Sequence, residues 1–98
     1  MSKTQTVVLT PNVLLSSPNV LNYVRGLLPP DVTLHLDRSE RVTNISEDNG
    51  SVIVQTTWAD DDDVDEYKRL MAEVTPMVKS QLDDLSWTYV FTPETADL

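Results

Sequence analysis

Trp58-Ala59-Asp60-Asp61-Asp62-Asp63-Val64-Asp65-Glu66-Tyr67 heads the segment on which the fold turns. From Val64 onward, Tyr67, Met71, Val74, Val78, Leu82 and Leu85 recur at three and four residues, an apolar stripe of helical period that predicts a helix over 61–84. The opposite face carries Glu66, Arg69, Glu73, Lys79 and Asp83. Asp60 or Asp61 is placed to cap the first turn by accepting from its free backbone N–H groups, and the carboxylates that follow face the positive end of the helix dipole. One cap needs one carboxylate, yet residues 60–66 hold six acids, whose mutual repulsion costs stability unless something cationic meets them. Pro76 cannot donate to the carbonyl of Ala72, so a kink is expected there, or a break at which Thr75 caps a second segment. The stripe keeps its phase from Val74 to Val78 to Leu82, which favours one kinked helix.

Working backwards, Ser51 to Trp58 reads as a strand, and Glu47-Asp48-Asn49-Gly50 before it is the strongest turn signal in the chain, because Asn-Gly accepts positive φ at both central positions. With a strand over 42–46, a two-residue turn sets Ile45 opposite Val54 and Thr43 opposite Thr56. Residues 37–41 are charged and read as a bulge or loop. Val32-Thr33-Leu34-His35-Leu36 alternates, which predicts a strand with Val32, Leu34 and Leu36 on one face and Thr33 and His35 on the other. Pro29-Pro30 ends a helix over 18–28 buried through Val20, Leu21, Val24, Leu27 and Leu28, with Ser17 as its cap and Pro18 at its first position. Thr4 to Thr10 has the β-branched content of a first strand, followed by a short turn over 11–15.

Beyond the acidic helix, Ser86 to Thr92 is a last strand whose aromatics Trp87, Tyr89 and Phe91 share one face, read as core facing the helices. Residues 93–98 are expected to be a loose C-terminal tail. The order strand, helix, strand, strand, helix, strand resembles the ferredoxin-like βαββαβ sandwich. That resemblance implies a single α+β domain over 1–98, with two helices on one face of a four-stranded antiparallel sheet. It rests on element order, and the fold hosts many functions.

The chain has 98 residues, 16 acids against 7 bases, a formal charge of −9 and no cysteine. Disulfides, thiolate metal sites and thiol nucleophiles are therefore excluded. No run approaches the about 18 apolar residues of a membrane span, and the start lacks the layout of a signal peptide, so the expected location is the cytoplasm, the host's if the chain is viral. Net negative charge opposes direct binding to nucleic acid or an anionic membrane and points to a basic macromolecular partner.

No phosphate-cradling glycine loop and no nucleophile elbow is present, and the single histidine, His35, reads as a surface residue without a role. Asp61, Asp63 and Asp65 alternate like calcium ligands, but Glu66 stands where the sharp-turn glycine belongs, and a helix would splay them apart. The expectation is thus a non-enzymatic protein without cofactor or metal. Its candidate binding surface is Asp60, Asp61, Asp62, Asp63, Asp65 and Glu66, with Asp83 and Asp84 at the far end of the helix and Glu47 and Asp48 at the hairpin, carboxylates able to stand in for phosphates on a nucleic-acid-binding protein or complex. In size, acidity and lack of catalytic apparatus the chain is similar to small phage anti-defence inhibitors, the anti-CRISPR and anti-restriction proteins. The alternative is a ferredoxin-like structural or regulatory subunit that oligomerises through its sheet, for example as a homodimer.

Overall fold

The strands and helices are placed by a computed structural model, which describes residues 2–38 and 41–98. Four antiparallel strands, β1 Lys3–Thr10, β2 Arg41–Asp48, β3 Ser51–Trp58 and β4 Thr88–Thr92, form one sheet in the order β2-β3-β1-β4. Helices α1 Ser17–Leu27, α2 Pro30–Arg38 and α3 Asp61–Asp84 complete an α+β architecture, and a short 3-10 turn, Thr95–Asp97, ends the chain. The element order is βααββαβ: the first crossover holds two helices, so the strict ferredoxin-like order is not met. Among the described residues no helix is long and apolar enough to cross a membrane.

The hairpin forms in the expected register, with Ile45 opposite Val54 and Thr43 opposite Thr56. Asn49 and Gly50 both take positive φ, 51° and 83°, the backbone that a tight two-residue turn matched to strand twist requires. The stripe of α3 is buried at Val64, Tyr67, Met71, Val74, Val78 and Leu82. Against it lie Leu9, Val52 and Trp58 of the sheet, so the core fills the space between α3 and the central strands β1 and β3. Register places Tyr89 opposite Leu9 and Phe91 opposite Val7, on the helix-covered face, while Trp87 is buried with its ring 5.2 Å from that of Tyr23.

Helix α3 runs through Pro76 without a break. Thr75 does not cap a second segment; its hydroxyl donates to the carbonyl of Met71 at 2.7 Å, a bond back along the same helix that leaves the backbone helical. At the C-terminus Ser86 adopts φ 60°, and the Trp87 N–H returns to the carbonyl of Leu82 at 3.0 Å, closing the helix with a left-handed residue.

Four expectations are corrected. Residues 32–36 form no strand: Pro30 opens α2 with its φ preset, Asp31 Oδ1 accepts from the Val32 N–H at 3.0 Å, and the Val32 and Thr33 N–H groups donate to the carbonyl of Pro29. The alternation of Val32, Leu34 and Leu36 is overridden because Val32 and His35, three apart, are buried together while Leu34 is exposed. Of the loop expected over 37–41, residues 39 and 40 lie outside the described residues, Asp37 and Arg38 close α2, and Arg41 opens β2. His35, in turn, is buried: its Nε2–H donates to the carbonyl of Asp63 at 3.0 Å and ties α2 to the first turn of α3. Residues 93–98 are not loose, since Thr95 and Leu98 are buried. Gln5 Nε2 donates to Pro93 O at 3.0 Å and to Thr95 Oγ1 at 3.1 Å, and Lys68 Nζ donates to Leu98 O at 2.7 Å.

Candidate functional sites: two acidic poles and a cavity

The acidic residues gather at two ends of the molecule. Strand β3 climbs from the hairpin to Trp58, the chain turns, and α3 runs back, so Asp60 to Glu66 lie at the Trp58 end while Asp83 and Asp84 return to the hairpin end. There β4 starts with Thr88 opposite Thr10, and Thr10 Oγ1 hydrogen-bonds Ser51 Oγ at 2.6 Å beside the tip that carries Glu47 and Asp48. At about 1.5 Å per residue, the 22 steps from Asp61 to Asp83 separate the poles by roughly 33 Å. The ten candidate carboxylates therefore lie in two groups, Asp60–Glu66 in one and, at the far end of the helix, Asp83 and Asp84 with Glu47 and Asp48 of the hairpin in the other.

At the first pole Asp60 is the cap: its Oδ1 accepts from the Asp62 N–H at 2.8 Å. Glu66 is engaged by Arg69, whose guanidinium holds its carboxyl below the ordinary range; the pairing raises Arg69 in return. Asp63 is half-buried, with its carbonyl under His35. Asp61, Asp62 and Asp65 stand exposed and enter no ion pair among the described residues. Residues 61–66 are helical, so successive side chains diverge by about 100°, and among the described residues no three His, Asp or Glu side chains converge as metal ligands.

At the second pole the carboxylates have local duties. Glu47 Oε1 accepts from the Ser17 N–H at 2.9 Å, and these bonds from Ser17 hold the Glu47 carboxyl below its ordinary value. The expected cap Ser17 is instead the first residue of α1; Ser16 holds the cap position without a side-chain bond, and Glu47 supplies the acceptor from across the fold. Asp83 Oδ1 accepts from the Tyr89 hydroxyl at 3.0 Å; burial first, and this carboxylate second, push Tyr89 up. Asp84 and Asp48 are exposed.

A feature that the sequence reading missed lies between α1 and the sheet. A cavity of about 280 Å³ is walled by Val7, Ile45 and Val54 of the strands, by Leu21, Val24 and Leu28 in and after α1, and on its far side by Met71 and Leu82 of α3. Trp58, 2% exposed, also lines it, and its indole N–H has no hydrogen-bond partner. The signal was the alternation Arg41, Thr43, Ile45 on the inward face of β2, a cation and a hydroxyl where core residues were due, and Ile45 remains 49% exposed.

Comparison of the chain with protein-family models, with curated proteins and with solved structures finds no match. Fold and surfaces define a small acidic α+β protein with carboxylates concentrated at two poles.

Proposed function

We propose that this chain is a non-enzymatic binding module whose acidic surface occupies a basic, nucleic-acid-binding surface of a partner protein, as a small anti-defence inhibitor of the anti-CRISPR or anti-restriction kind does. The observation that carries the reading is the surplus at the first pole. Asp60 alone caps α3, while Asp61, Asp62 and Asp65 remain exposed and enter no ion pair among the described residues, a concentration of charge that helix formation does not need. The separation of the poles supports it, since roughly 33 Å is comparable with the about 34 Å of one duplex turn.

A second reading, a ferredoxin-like structural or regulatory subunit pairing through its sheet, is favoured by the uncovered sheet face. Thr6, Val8, Val42, Ile53 and Val90 share that face by register and carry no charge, and Val42 and Val90 are 63% and 57% exposed. Asp48 at the hairpin edge is the one charged strand residue on that face, so the face is where two molecules of charge −9 meet with least repulsion.

The test is capture from a nuclease-rich lysate by the immobilised protein and by its Asp61→Asn/Asp62→Asn/Asp65→Asn variant, with duplex DNA as competitor. These carboxylates are chosen because neither the cap nor the Arg69 pair depends on them. Captured protein should be lost in the variant, displaced by DNA, and weakened as the screening length falls from about 30 Å at 0.01 M salt to about 8 Å at 0.15 M. Equal capture by both proteins at equal salt refutes the acidic reading. Loss on Val42→Lys or Val90→Lys instead selects the sheet.

A further inference from the structure

The cavity between α1 and the sheet differs in charge from the rest of the molecule. Of a chain with 16 acids and 7 bases, its wall includes Arg25 and Arg41 and, among the described residues, no acid. Arg25 is committed to Asp37, its Nη2 lying 3.2 Å from both carboxylate oxygens. Arg41 is not so committed: it enters no ion pair among the described residues. Its Nε donates to the carbonyl of Leu36 at 2.8 Å and its Nη1 to Thr43 Oγ1, two anchors from α2 and β2 that fix the plane of the guanidinium. Of its five N–H donors these are the two with acceptors among the described residues. The group is half-buried, and the desolvation that follows lowers its pKa, outweighing the opposite pull of the Asp37 carboxylate, which is already engaged by Arg25. Half-buried cations gain most from an ionised acceptor, and a planar guanidinium fits a carboxylate at two points.

The apolar part of the space sets the rest of the ligand. At about 280 Å³ it is nearly twice the roughly 150 Å³ that takes up benzene in an engineered protein cavity. That volume suits a bicyclic ring system or a chain of about eight carbons. We infer that this cavity is a binding site for a small amphipathic carboxylate, its apolar body between α1 and the strands and its head on the Arg41 guanidinium. The site is independent of the acidic poles, which line no part of it.

The probes are octanoate and 1-octanol, equal in chain length and different in charge, titrated into the 15N-labelled full chain and followed by amide shifts. Octanoate should bind saturably below about 1 mM at one site, shifting Val7, Leu21, Val24 and Val54, with octanol about tenfold weaker. Arg41→Met, which keeps the apolar stem, should reduce octanoate to the level of octanol, and Arg41→Lys should restore part of the difference. Ile45→Trp, at a position with room to the outside, should fill the space and weaken both ligands while far-UV circular dichroism is unchanged. If Arg41→Met fails to fold, the Ile45→Trp variant and the octanoate–octanol ratio decide. The inference is overturned by no saturable shift, by shifts confined to the uncovered sheet face, by equal affinity for acid and alcohol, or by a tightly held second copy of the chain closing the mouth of the cavity.

Discussion

Removing the last leucine side chain should unfold this protein at a markedly lower temperature, although the residue stands at the C-terminus. Leu98 is 9% exposed and belongs to the core cluster; its carbonyl is held by Lys68, so Leu98→Ala empties a pocket without releasing the backbone. Buried leucine-to-alanine changes cost about 2–5 kcal/mol, and a residue outside the long helices and strands relaxes more readily than a helix interior, which places this one near about 2 kcal/mol. For a domain of this size, about 4–8 °C is lost per kcal/mol, so Tm should fall by about 8–16 °C. Thr95→Val tests the same closure from its polar side. It deletes the acceptor for Gln5 Nε2 at 3.1 Å, leaving that buried amide with Pro93 O and a contact at 3.4 Å from the Tyr67 hydroxyl, for a cost of about 1–2 kcal/mol. Ala96→Ser, in the same turn but exposed, is the control. Thermal denaturation followed by circular dichroism separates the three, and a Leu98→Ala shift no larger than the control refutes the docked terminus.

Pro76→Ala should raise Tm, because an exposed interior proline costs a helix up to about 3 kcal/mol relative to alanine and the helix continues unbroken through the position; a fall in Tm would mean that the proline's local geometry is needed for packing. Burial pushes the Tyr67 hydroxyl up, against a hydrogen bond from Thr95 and the charge of Arg41. The folded state therefore keeps the proton after the unfolded chain has lost it: this stabilisation is complete below about pH 10 and is lost as pH rises through the higher folded value. Tm of Tyr67→Phe should decline less steeply above about pH 10 than that of the unaltered protein, and parallel profiles would exclude the effect.

What was legible in the sequence was local. The α3 stripe and the Asn49-Gly50 turn each rest on chemistry within a few residues, and both the helix bounds and the pairing of Ile45 with Val54 follow from them. Where the expectation failed, the deciding partner is distant. Alternation in Val32 to Leu36 satisfies a strand as well as Pro30 and Asp31 satisfy a helix start, and the balance falls to the helix through burial of Val32 and His35 beside α3, with Asp63 accepting from His35 twenty-eight residues away. The tail reads as polar and short, and its order depends on Gln5, ninety residues earlier than Thr95. The acidic residues were all visible, and the helix alone set Asp83 and Asp84 far from Asp60–Glu66; that they join the hairpin acids Glu47 and Asp48 required the return path of α3, and the cavity required the packing of the helices on the sheet.

The two poles differ in what they cost the fold, and that difference bears on which is there for function. At the first pole the carboxylates of Asp61, Asp62 and Asp63 sit at the positive end of α3, each worth about 0.3–1 kcal/mol to the helix before their mutual repulsion is counted, so part of the cluster is explained by structure. At the second pole Asp83 and Asp84 occupy the negative end of the same helix, where the last turn holds no basic residue and the dipole acts against them. Asp83 recovers some of this through the Tyr89 hydroxyl and Glu47 through Ser17. Asp84 makes neither kind of bond among the described residues, and beside it the fold would be served better by a lysine. On the proposed function an exposed carboxylate that works against its own helix should be kept for binding, so Asp84→Asn should weaken capture of the partner, and unchanged capture would leave the distant pole out of the proposed recognition.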